Sequence, residues 1–307
     1  MNLMHRLPRR LLTRKFGILI ALFFLAAMGG VIAYLVIPDG DAPGELVERG
    51  IARLEGEVKQ NPDDPDRRLE LALLYSEAGS HRKAIAQLET VLELNESHQG
   101  ALVALGDVYR VLGRYDEAVG PYTKVVELNE DNPMRGVSRQ LEGVYYYLGV
   151  VYFNLERPED AIRSLEEALI IDRTDADAWH MLGSTYRHLG EFEKAIESFA
   201  QAVRFVPDFK EAYQGLAQCY EETGQTNFAA YANAMVSYIS GSSGEAIRQL
   251  EEVVAAAPDF AEAYLGLGLA YEKEGQIEKA ISAYHQALSI EPDLWLAQAK
   301  LQALGAK

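Results

Sequence analysis

The chain has 307 residues, 29 of them Lys or Arg against 46 Asp or Glu, and a formal net charge of −17. Phosphate contacts need clustered Lys and Arg, so an excess of acid this large argues against nucleic acid as a partner. A single cysteine excludes an internal disulfide. No HExxH, GxSxG, phosphate loop or Cys/His ligand cluster is present, which leaves no enzyme signature, metal or cofactor to expect.

In chain order, residues 1–15 carry Arg6, Arg9, Arg10, Arg14 and Lys15 with no acid among them. Residues 16–37, opened by Phe16 and closed by Ile37, are uncharged. As a helix rising ~1.5 Å per residue such a run is long enough to cross a bilayer core. Basic flanks stay on the cytoplasmic side, so the expectation is a single-pass (bacterial inner) membrane protein with everything after Pro38 periplasmic. A cleaved secretory signal competes with this reading, but its apolar core is usually shorter. Ala26, Gly29, Gly30 and Ala33 have the small-residue spacing of helix contacts, which permits self-association without requiring it. Residues 38–44 read as a linker and 45–64 as a capping helix.

Beyond that point six tyrosines stand in register: Tyr75, Tyr109, Tyr152, Tyr186, Tyr220 and Tyr271. Their spacings of 34, 43, 34, 34 and 51 are a period of 34 with blocks of 9 and 17 added. Four residues before each tyrosine is a leucine (Leu71, Leu105, Leu148, Leu182, Leu216, Leu267), followed at once by Ala or Gly. Leucine and tyrosine share one helical face, and the small residue falls where a second helix must approach to roughly 8–10 Å. Large apolar residues answer it on that second helix, among them Leu88, Tyr122, Leu165, Phe199, Leu250 and Tyr284. Gly79, Gly113, Gly190, Gly224 and Gly275 occupy the left-handed C-cap slot of first helices. A repeat of this size with two helices per unit makes a ribbon of surface rather than a single pocket.

The run Ala178-Trp179, Leu182-Gly183, Tyr186, Gly190, Phe192, Ala195, Phe199, Ala202, Pro207 closely resembles the tetratricopeptide repeat (TPR) family. The resemblance covers roughly residues 45–307 and implies an all-α, right-handed superhelix of antiparallel helix pairs, here expected after one transmembrane helix. Its units are expected at 65–98, 99–132, 142–175, 176–209 and 261–294, with a terminal cap at 295–305. Residues 210–260 hold three helices, starting near Lys210, Asn227 and Ser243. One helix is missing there relative to two full repeats, so the middle helix is expected to serve both neighbours. The extra block 133–141, with Arg135 and Arg139, reads either as a partner-touching loop or as a longer connection and an extended first turn, the latter preferred. His180 and His188 read as surface residues, Cys219 as a small packed one, and Asp63, Asp64 and Asp66 as helix-capping acids.

In this family the first helices line a concave groove, which implies groove positions at Leu69, Leu73, Val103, Asp107, Tyr146, Val150, His180, Ser184, Gln214 and Gln218, then Leu265 and Leu269. The Lys and Asn that clamp a terminal carboxylate in chaperone-tail binders are missing from these slots, so a segment with apolar anchors is the expected ligand. The implied function is a membrane-anchored scaffold or chaperone that binds protein or peptide segments during assembly of secreted or membrane proteins. The tetratricopeptide subunit of cytochrome c maturation, holding apocytochrome, and a cell-envelope or appendage assembly component are the alternatives. Basic partners would be drawn to the acidic surface.

Overall fold

The structure, a computed structural model, describes residues 43–306. Among the described residues there are fifteen α-helices and one 3-10 turn, and no strand. The expected single-pass, periplasmic placement is corrected here. No helix among the described residues is long and apolar enough to cross a membrane, and residues 16–37, which were to supply the span, lie outside them. A single-span location is therefore not supported.

The chain divides into two compact units between Val108 and Tyr109. The first holds α1 (Pro43–Gln60), the pair α2 (Pro65–Glu77) and α3 (His81–Leu94), and α4 (Gln99–Val111) as far as Val108. The second begins with the end of α4 and continues through α5 (Tyr115–Leu128), α6 (Arg139–Asn154), α7 (Pro158–Ile171), α8 (Ala176–His188) and α9 (Phe192–Phe205). It closes with α10 (Lys210–Glu222), α11 (Thr226–Ile239), α12 (Ser243–Ala256), α13 (Ala261–Lys273), α14 (Ile277–Ile290) and α15 (Trp295–Ala303).

Local chemistry explains where these helices start and stop. Asp64 caps α2, its Oδ1 accepting from the amides of Asp66 and Arg67 at 3.1 Å each, with Pro65 as the first helical residue. Asp175 caps α8 in the same way. Such caps satisfy amide donors that have no partner inside the helix. At the exit of α2, Gly79 turns to φ +70° and the Ser80 amide reaches back to the Tyr75 carbonyl at 2.7 Å. The exit of α6 has the same bond, from the Arg157 amide to the Tyr152 carbonyl at 2.9 Å, but the residue at positive φ (56°) there is Glu156. It is the one non-glycine in that conformation among the described residues.

The core of each pair is a small residue on the first helix facing a large one on the second. Leu165 fills the space over Gly149, and Tyr284 that over Gly268. Phe199 serves two neighbours: a Cβ at Gly183 would lie 2.8 Å from its ring and one at Gly215, on α10, 2.5 Å. Phe199 is 1% exposed as a result. The register tyrosines are the second element of packing. Tyr75 donates to Glu55, Tyr271 to Glu251 at 2.5 Å, and Tyr186 engages Glu166. In each case the acceptor lies 20 residues back, on the preceding helix. Cations sit over five of the six rings: Lys83, Arg114, Arg157, Lys194 and Lys279 lie 4.7–5.1 Å from the centroids of Tyr75, Tyr109, Tyr152, Tyr186 and Tyr271. Over Tyr220 stands Phe228 instead, 5.3 Å away.

That exception falls at the irregular region. α11 packs on α10 and also on α12 and α13. The Met235 sulfur would lie 2.8 Å from a Cβ at Gly266, so the same helix closes against both sides. The 133–141 block forms a 3-10 turn (Arg135–Val137) and the head of α6, which Ser138 caps through the Leu141 amide at 3.3 Å. Arg135 is held inside the unit by Glu167 at 3.0 Å and the Tyr145 hydroxyl at 3.2 Å.

Two glycines on helices should respond oppositely to alanine. Gly183→Ala should cost about 1–3 kcal/mol because Phe199 must shift. Gly56→Ala, with open space at its Cβ, should gain roughly 0.5–1 kcal/mol from helix propensity. Urea denaturation of each variant reads both. Glu156→Gly should raise stability by about 1 kcal/mol, since an L side chain at positive φ is strained; an unchanged midpoint in the same experiment would contradict this.

Candidate protein-binding surface

The two units present separate stretches of first-helix surface. In the first, Leu69 on α2 is half-buried, its Cδ2 only 3.1 Å from where a Cβ at Gly100 would sit, so it packs between α2 and α4. Leu73, one turn on, is 44% exposed. Val103 and Asp107 on α4 are half-buried.

In the second unit, Tyr146 on α6 is half-buried against the cluster of Leu165, Leu169, Ala178 and Leu182. Its ring lies 5.2 Å from that of Tyr147, which stacks on Tyr122 at 6.2 Å and carries the Arg110 guanidinium at 4.1 Å. Burial first, then the nearby Asp177 and Asp175 carboxylates, push the Tyr146 hydroxyl up to about 12. Val150 is half-buried one turn further along. On α8, His180 is not the surface residue expected: it is half-buried, 5.0 Å from the ring of Phe209 and 5.6 Å from that of Phe199. Burial lowers its pKa, because a charged imidazolium is poorly solvated there. Ser184 is half-buried, while Gln214 and Gln218 on α10 are exposed, and Gln218 accepts a hydrogen bond from Arg187. On α13, Leu265 is half-buried and Leu269 is buried at 9% exposure. The structure thus brings Tyr146, Val150, His180, Ser184, Gln214 and Gln218 onto consecutive first helices of one unit.

Reading the sequence missed the ends of this row. Phe153 lies one turn beyond Val150 and His188 one turn beyond Ser184, and their rings meet edge-on at 5.8 Å. Asp177 and Glu211 lie one turn before His180 and Gln214, and both act on the His180 ring. Continuing the helical spacing by three or four residues in each direction would have found all four. A further pair has no sequence signal, because its members come from different elements: the Glu142 side chain on α6 hydrogen-bonds Asp175 at the head of α8.

Two shallow depressions of about 310 and 210 Å³ lie elsewhere, one lined by α11 and α12 residues including Asn227 and Gln249, the other by Tyr264, Tyr271 and Lys279. Among the described residues no group of three His, Cys, Asp or Glu side chains is placed to hold a metal ion. What the surface offers is an open strip of aromatic, amide and carboxyl side chains on paired helices.

Tetratricopeptide repeat models match residues 69–133, 140–208 and 261–294, together more than half of the chain. The chain belongs to the tetratricopeptide repeat family. Proteins of this family are generally non-catalytic scaffolds that bind protein or peptide partners. The chain is 28% identical over 145 residues to the human mitochondrial import receptor subunit TOM70, a match that spans 47% of this chain and 22% of that protein. Among solved structures, the C-terminal part of a TPR repeat-containing protein from Cytophaga hutchinsonii superposes with a TM-score of 0.54 at 17% identity, over 83% of this chain and 95% of that one. MamA (residues 41 to the end) from Desulfovibrio magneticus RS-1 gives 0.52 at 22% identity, over 58% of this chain and 96% of that one. Both likenesses concern the fold.

Within this tetratricopeptide protein the Glu142 carboxyl is pushed up to about 8, by burial first and then by the Asp175 and Asp172 charges, with Arg139 opposing. A pKa raised on folding means that the folded state holds the proton more tightly. The stability it contributes is complete below about pH 4.5 and is lost as pH rises through 8. Glu142→Gln, which can still donate to Asp175, should flatten the fall in urea midpoint between pH 6 and 9 relative to wild type. Parallel curves for the two proteins would show that Glu142 ionises normally.

Proposed function

We propose that the chain is a scaffold or chaperone that holds segments of other polypeptides during their assembly, binding them along the first-helix surfaces of its repeats. The repeats are 65–98, 99–132, 142–175, 176–209 and 261–294, with the three-helix region 210–260 joining the last two. The observation that supports this reading is the row on α6, α8 and α10. Tyr146, Val150 and Phe153 supply apolar contact, while Ser184, Gln214 and Gln218 supply hydrogen-bonding groups for a backbone. An extended or helical segment with apolar anchors gains affinity on such a strip without needing a deep pocket. Leu73 offers the corresponding exposed anchor in the first unit.

A photo-crosslinking residue placed at Gln214 in the full chain should capture apolar peptide probes, whereas the same residue at the exposed Glu197 on α9 should not. Tyr146→Ala and Leu73→Ala, tested singly, should each weaken capture several-fold with helix content unchanged by circular dichroism. Equal capture from the two crosslinker positions, or full capture by both folded variants, would dismiss the strip as a binding surface.

A further inference from the structure

The irregular region breaks the repeat rule at one residue. In the regular units the register leucine of the first helix stands 17 residues before the large residue of the second, as in Leu148 and Leu165, Leu182 and Phe199, or Leu267 and Tyr284. Both members of each such pair are buried. Because α11 serves two neighbours, one of its residues falls in both slots at once, 17 after Leu216 and 17 before Leu250. That residue is Asn233, and it is exposed. Met235, two places on, is buried against the next unit in its stead. On the side to which Asn233 points, a crevice of about 310 Å³ runs between α11 and α12. Its apolar lining is Val253, which is buried, with Ala230 and Ala256. The rest is mainly carboxamide: Asn227 and Asn233 on α11 and Gln249 on α12. Asn233 and Gln249 stand eight residues either side of Gly241, in the turn that joins the two helices, so both belong to the same end of the crevice. The one charged group in the lining, Glu252, is paired with Arg248 at 2.7 Å. Asn233 makes only a long donation to Glu221, at 3.4 Å. The Gln249 amide nitrogen donates to Glu245, but its Oε1 is buried and accepts no hydrogen bond from the chain. A buried acceptor in that condition is costly.

We infer that the α11–α12 crevice binds a short extended stretch of polypeptide by its main chain, whatever its side chains. The ligand class follows from the lining. With its single carboxylate already paired, the crevice does not select by charge. Three carboxamides offer donors and acceptors side by side, the complement of a peptide group, which carries one of each. A backbone N–H turned to the Gln249 end supplies the donor that its Oε1 lacks. A backbone carbonyl at the other end accepts from the Asn227 Nδ2. Asn227 and Asn233 are six residues apart, about 9 Å along α11 at ~1.5 Å per residue. Roughly three residues of extended chain cover that length at ~3.3 Å each. The site uses no residue of the α6–α8–α10 strip, so either surface can fail without the other.

The test uses the full chain and a labelled, end-capped nine-residue peptide of Ser, Thr and Val, against the same peptide N-methylated at every second residue. Methylation removes backbone donors and keeps the side chains. Titration by fluorescence anisotropy should show the N-methylated peptide binding about fivefold or more weaker, the size of one net hydrogen bond. Asn233→Leu puts back the leucine of the other units and should fill the crevice, while Gln249→Leu removes the unpaired acceptor. Each should bring the parent peptide down to the affinity of the N-methylated one, and each should keep or raise the thermal midpoint. Tyr146→Ala should leave the difference between the two peptides as it is. Equal affinity of both peptides for the wild-type chain overturns the proposal. So does a difference that survives in either leucine variant once circular dichroism shows that variant folded; if Asn233→Leu misfolds, Gln249→Leu decides alone. Loss of the difference in Tyr146→Ala, with both leucine variants unaffected, would assign backbone recognition to the strip instead. A raised midpoint in Asn233→Leu with peptide binding unchanged would make the crevice a packing defect and nothing more.

Discussion

The fold depends on close approach between helices at positions where one side chain is nearly absent and its counterpart is large. Phe199 shows the constraint most clearly, with its ring lying against Gly183 in its own pair and Gly215 in the next helix. Burying such a ring stabilises the fold by roughly 1.5–3 kcal/mol. It does so for two interfaces at once, because the stacking of pairs and the closing of each pair use the same atoms. A repeat array has no central core to share this task. Each junction must therefore be complete in itself, and the glycine–aromatic contact is what completes it here.

The register tyrosines show how polar groups are accommodated at the same junctions. A buried hydroxyl without a partner would be costly, and Tyr75, Tyr186 and Tyr271 meet a glutamate of the preceding helix. Their rings lie under lysines, as those of Tyr109 and Tyr152 lie under arginines. The one ring covered by an aromatic, Tyr220, adjoins the place where a single helix, α11, serves neighbours on both sides. There the cluster of Phe228, Tyr231 and Phe260, with centroids 4.6–4.9 Å apart from Phe260, takes over from the ion-over-ring contacts.

This packing also explains the character of the candidate surface. First helices commit their small residues, register leucines and register tyrosines to packing, so the side chains outside those slots are free to vary. On α6, α8 and α10 that freedom has produced aromatic, amide and carboxyl groups in a row. Two positions that the period alone would assign to binding are spent on packing instead: Leu69 against Gly100 and Leu269 in the core. Periodicity says which face a residue occupies, whereas the neighbouring helix decides how much of that face remains uncovered.

From the sequence alone, the repeat length, the all-α class, the helix-ending glycines and the facing small and large residues could be read, because each is a local requirement recurring at fixed spacing. The cap by Asp64 was equally legible, since capping involves residues two or three apart. Tertiary structure decided what spacing cannot express. It buried His180 between Phe199 and Phe209, and joined Glu142 to Asp175. These outcomes depend on distances between groups 33 residues apart or on different helices, and only the stacked helices set them.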